Sequence, residues 1–164
     1  MIIKLNNINI DFDLENEIPY FQVSDENKVR FDIDSLNKKD ITSLINNIFK
    51  ESTTNCSFLS EFIKPVKFKE KTNIGRYISI NNWHETIHSE NDTYVISTIK
   101  NITQKDINSY VHYIKRGLVE PFIVFYNDEN MLYISNSVID IISDSIEFIS
   151  SVKDMFANHI CVED

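Results

Sequence analysis

The residues best suited to chemistry are His84-Glu85-Thr86-Ile87-His88, which have the form His-Glu-x-x-His. On a helix, positions four apart share a face, so His84 and His88 could hold one Zn²⁺ while Glu85 serves as general base toward a metal-bound water. That would be a small zinc-dependent hydrolase. A third ligand could come from Glu90, Asp106 or Glu120, and nothing in the spacing selects one. The flanks oppose a helix, because Asn81-Asn82 and Ser89-Glu90-Asn91-Asp92 both read as turns. On a strand the two histidines would lie about 13 Å apart, too far for one ion. The expectation is therefore surface or satisfied histidines, no metal and no other cofactor.

Carboxylates form the second constellation. Asp11, Asp13, Glu15 and Glu17 recur with period 2, and Asp32 and Asp34 repeat that spacing. On a strand such pairs share a face about 7 Å apart, which suits a Mg²⁺ site or an acid–base pair. A metal-dependent nuclease is disfavoured, because a net charge of −9 repels a phosphate backbone. A solvated sheet face explains the alternation as well. Its functional version is a negative stripe that docks into a basic cleft. Asp11, Asp13, Asp32 and Asp34 are the first candidates for that partner-binding face, followed by Asp128 and Glu129 in the turn Asn127–Asn130.

The charge is uneven along the chain. Residues 1–34 carry −5, residues 35–117 carry +4 and residues 118–164 carry −8. Acidic ends around a basic middle favour a basic protein partner over direct contact with nucleic acid. The stretch Lys64, Lys67, Lys69, Lys71 and Arg76 could touch RNA, but Glu70 interrupts it and a solvated strand explains it equally well. Two glycines, Gly75 and Gly117, leave no phosphate-binding loop or dinucleotide fingerprint. Cys56 and Cys161 make no disulfide framework, and no stretch reads as a signal peptide or membrane span. The expectation is a cytoplasmic protein that does not engage a membrane.

The elements that must position these residues read as a single α+β domain over residues 1–164: an antiparallel sheet of β-hairpins with two or three packed helices. Ile2–Leu14 alternates as half-buried strands, and Tyr20–Ser24 with Val29–Ile33 reads as a hairpin. Ile41, Leu44, Ile45, Ile48 and Phe49 mark one helix, and Ser57–Ile63 a shorter one ended by Pro65. Val66–Lys71 reads as a strand or connector, and Arg76–Ile80 and Tyr94–Lys100 as strands. A helix follows from Thr103 to the left-handed stop at Gly117. Phe122–Tyr126 and Met131–Ser135 form another hairpin, and a last helix spans about Ser145 to Ala157. Lys39–Ile45 matches Lys105–Val111, with Val29 and Ile33 opposite Val95 and Ile99, which suggests a repeated ββα unit.

Two resemblances bear on function. His84–His88 resembles the zinc-metallopeptidase signature over five residues, without the Gly-and-His extension of the metzincins. The stretch Phe122–Ile134 resembles hairpins in immunity proteins of bacterial contact-dependent inhibition and related polymorphic-toxin systems. Those proteins are small, cytosolic and mostly acidic, and they block a toxin domain that is often a basic nuclease. The resemblance implies a non-enzymatic inhibitor that occludes a cognate basic toxin, with no individual residues to carry over. The other readings are the zinc hydrolase and a structural or adaptor subunit that uses a sheet edge, for instance as a homodimer.

Overall fold

The computed structural model describes residues 1–162. Thirteen main elements run in chain order: β1 (Ile2–Leu5), β2 (Ile8–Asp11), β3 (Lys28–Asp32), α1 (Lys38–Phe49), β4 (Thr54–Lys64), β5 (Phe68–Lys69), β6 (His84–Ser89), β7 (Thr93–Ile102), α2 (Gln104–Lys115), β8 (Ile123–Tyr126), β9 (Asn130–Ile134), β10 (Val138–Ser143) and α3 (Ile146–Met155). The result is α+β, with every strand pair antiparallel. One sheet runs β3-β10-β9-β8-β4-β7-β6 with β5 attached to β4, and β1 and β2 form a separate hairpin.

Burial arranges these elements in three layers. On one face of the sheet the apolar stripes of α1, α2 and α3 cover Phe31, Phe58, Phe125, Leu132 and Ile141. On the other face Ile3, Leu5, Ile10 and Phe12 close over Leu59, Tyr94, Ile96, Val124 and Tyr133. The N-terminal hairpin thus acts as a lid on a surface that would otherwise expose large apolar side chains. No helix of the described residues is long and apolar enough to cross a membrane.

Each helix starts on a side-chain cap. Asn37 and Asp40 form a complete capping box on α1, Thr103 accepts the Asp106 N–H on α2, and Ser145 accepts the Phe148 N–H on α3. Gly117 takes φ 75° just beyond α2. The matched helices α1 and α2 pack together, and the equivalent residues Thr42 and Asn108 meet there at 3.0 Å.

Three expectations about elements are corrected. Ser57–Ile63 lies within β4, not a helix. β4 is hydrogen-bonded to β7 and β8, and Cys56–Leu59 is continuously buried, so its apolar run lacks period 2. Tyr20–Ser24 forms no hairpin with Val29–Ile33. Pro19–Gln22 is a 3-10 turn, and β3 pairs with β10 from the other end of the chain. Arg76–Ile80 is not a strand either; Asn73 at φ 53° leads into a 3-10 turn over Ile74–Arg76.

Candidate functional site

β6 ends the sheet, and among the described residues it is hydrogen-bonded only to β7. Its register with β7 places His84 opposite Thr98, Thr86 opposite Ile96 and His88 opposite Tyr94. His84, Thr86 and His88 therefore face the N-terminal layer, whereas Glu85 and Ile87 face the other way. This overturns the helical geometry of the His-Glu-x-x-His pattern. The histidines sit about 13 Å apart along an extended strand, and Glu85 points away from both. The Glu85 Oε1 instead accepts the Trp83 indole N–H at 3.0 Å.

β6 leaves apolar surface in solvent. Ile87 is 64% exposed and Trp83 44% exposed. Trp83 meets Phe58 edge-on, with ring centroids 5.5 Å apart. The opposite sheet edge is treated differently. There Ile160 bridges to Phe31, and the Cys161 N–H donates to the Arg30 carbonyl at 2.9 Å.

The acidic run and the histidine motif, remote in sequence, meet beside the end of β6. Asp13 is buried, and its Oδ1 accepts the N–H groups of Glu15 and Asn16, each at 2.9 Å. The Asn16 amide donates to both Asp13 and Asp11, at 2.8 and 2.7 Å. Burial opposes the Asp13 charge, but the amide hydrogen bonds from Asn16 and Glu15 outweigh it and hold the carboxyl below its usual range. The turn so formed carries Glu15 to the β6–β7 connection. There its Oε1 accepts the Asn91 and Asp92 N–H groups at 3.2 and 3.3 Å.

The Glu15 Oε2 lies 3.8 Å from His88 Nε2. That nitrogen is buried and has no hydrogen-bond partner. Glu90 presses its carboxyl against that of Glu15. The hydrogen bond between them holds Glu15 below the usual glutamate range and pushes Glu90 above it. Glu15, His88 and Glu90 each offer one potential ligand atom, all within 4.8 Å of one another.

The remaining candidates are dispersed. Asp32 and Asp34 sit at the end of β3, where Asp32 pairs with Val138 at the start of β10 and its Oδ1 accepts the Asp34 N–H. Asp128 and Glu129 occupy the β8–β9 turn, near the far end of β10, where Ser143 pairs with Asn130. The length of β10 separates these sites by about 17 Å. Asp11 alone joins Asp13 at the β6 corner, through Asn16. Of the three third-ligand candidates, Glu90 reaches His88, while Asp106 accepts the Ser79 N–H at the start of α2.

Glu15 was readable as one of an alternating acidic run, but nothing local linked it to His88. That proximity follows from the N-terminal layer folding over β7. No family model, curated protein or solved structure matches this chain.

Proposed function

We propose that this chain is a non-enzymatic binding protein that takes an extended segment of a cationic partner protein along the outer edge of β6. The observation that carries the reading is the bare β6 edge, bordered by exposed Trp83 and Ile87 on a sheet whose other edge is occupied by residues 160–161. An added strand gains main-chain hydrogen bonds from such an edge and draws specificity from alternate side chains.

Electrostatics favour a basic segment. Glu85 lies on the strand, Glu15, Glu90 and Asp92 surround its end, and the chain carries −9 overall. Steering by this charge speeds encounter and rejects acidic competitors. In its specific form, the reading makes the chain an inhibitor that occludes a cognate basic toxin in a bacterial cytosol, as immunity proteins do. The hairpin that prompted this comparison forms β8 and β9 inside the sheet, so its support is one of general character and supplies no contact residues.

The test is capture from the native host at low salt, comparing the unaltered chain with Ile87→Lys and Glu85→Lys. Support would be one stoichiometric basic protein, released as salt rises and lost with either variant while circular dichroism is unchanged. Equal retention by Ile87→Lys would remove the edge as the binding site. A partner-free homodimer dissociated by Ile87→Lys would instead make the chain a structural subunit using the same edge.

A further inference from the structure

The geometry points to a divalent metal site of zinc type formed by Glu15, His88 and Glu90. It lies beside the proposed partner edge and does not depend on that reading.

The three side chains are arranged for a cation. Two carboxyls meet beside His88 Nε2, which is buried without a hydrogen-bond partner. A neutral imidazole nitrogen with an available lone pair is a metal ligand, and one nitrogen with two carboxylate oxygens is a donor set suited to zinc and its neighbours. Around a tetrahedral zinc with bonds of about 2.0–2.1 Å, ligand atoms stand about 3.4 Å apart. His88 Nε2 and Glu15 Oε2 are already 3.8 Å apart, and all three potential donors fall within 4.8 Å. Modest side-chain adjustment closes the difference, leaving a fourth position for water.

Two ligands are held from behind, as metal ligands commonly are. The Asn91 and Asp92 N–H groups hold Glu15 Oε1 and leave Oε2 toward His88. The Tyr94 ring supports the imidazole, with centroids 4.6 Å apart and planes 24° from parallel.

This arrangement differs from the His-Glu-x-x-His pattern because it uses His88 without His84 or Glu85. It joins the turn at Asp13–Asn16 to the β6–β7 connection, so the ion would clasp the N-terminal layer to the sheet.

The deciding experiment is titration of the full chain with Zn²⁺ by calorimetry, followed by equilibrium dialysis and metal analysis. The result expected is one Zn²⁺ per chain, with affinity at least about tenfold lower in Glu15→Gln, Glu90→Gln and His88→Gln. His84→Ala should bind as the unaltered chain does. Glu90 is an exposed turn residue, so Glu90→Gln keeps the test valid even if a His88 variant fails to fold. No stoichiometric binding, or binding unchanged by Glu90→Gln and Glu15→Gln, would overturn the site. Loss of binding in His84→Ala would also overturn this ligand set. Partner capture by the Ile87→Lys variant is measured separately, so either proposal can fail alone.

Discussion

The imidazole of His88 lies on the ring of Tyr94, whose hydroxyl accepts the Leu14 N–H at 2.9 Å. One buried tyrosine thus supports the edge strand with its face and the N-terminal segment with its oxygen. Tyr94→Phe leaves the Leu14 N–H without this acceptor and should cost about 1 kcal/mol. Tyr94→Ala also removes a fully buried ring and should cost about 4 kcal/mol. Urea unfolding of both variants measures the difference.

Alkali should destabilise the protein through its buried tyrosines. Burial pushes the Tyr94 hydroxyl up to about 12 from 10.0, and raises Tyr110, Tyr126 and Tyr133 in the same direction. These groups ionise more easily once unfolded, so their contribution is intact below pH 10 and declines as pH rises through the folded values. Thermal midpoints should therefore fall above pH 10, and Tyr94→Phe should flatten part of that fall.

Asp13 should prove a structural residue, although its spacing marks it as part of a partner-binding face. Its carboxylate gathers the Glu15 and Asn16 N–H groups inside the turn. Asp13→Ala should cost about 2 kcal/mol in chemical unfolding, as expected for hydrogen bonds to a charged acceptor. Because its folded pKa is lowered, the contribution is present above pH 3.8 and is lost as pH falls through the folded value.

Arg30 and Asp140 tie β3 to β10 by two parallel hydrogen bonds of 2.7 and 2.8 Å, with Asp140 fully buried. Arg30→Met should cost about 3–5 kcal/mol, because it leaves a buried carboxylate without its guanidinium. Adding Asp140→Leu should recover much of that loss. A double-mutant cycle in guanidinium chloride measures the coupling.

Gly117→Ala should cost about 1 kcal/mol. An added Cβ meets nothing within 4 Å, so the effect isolates the backbone preference at φ 75°. A thermal-shift comparison is sufficient to detect it.

The sequence was most legible where local forces agreed with the final packing. Ile41, Leu44, Ile45, Ile48 and Phe49 put one stripe on α1, and Thr103 and Gly117 bounded α2. It was least legible where a distant partner decided the conformation. Phe58, Leu59, Phe62 and Ile63 are as compatible with a helix as with β4, and only pairing to β7 and β8 resolves them. β3 likewise takes its partner from β10, more than a hundred residues later. At the site, the motif supplied His88 and the alternating run supplied Glu15. Their meeting depends on the N-terminal lid, which no spacing rule describes.

If β6 takes a partner strand as proposed, the bridge from Ile160 to Phe31 would also limit stoichiometry. A sheet with two bare edges can take a neighbour on each side and propagate without end, whereas one with a single bare edge stops after its first union. By bridging to Phe31 and Arg30, residues 160–161 would then turn a potential repeating unit into a terminating one.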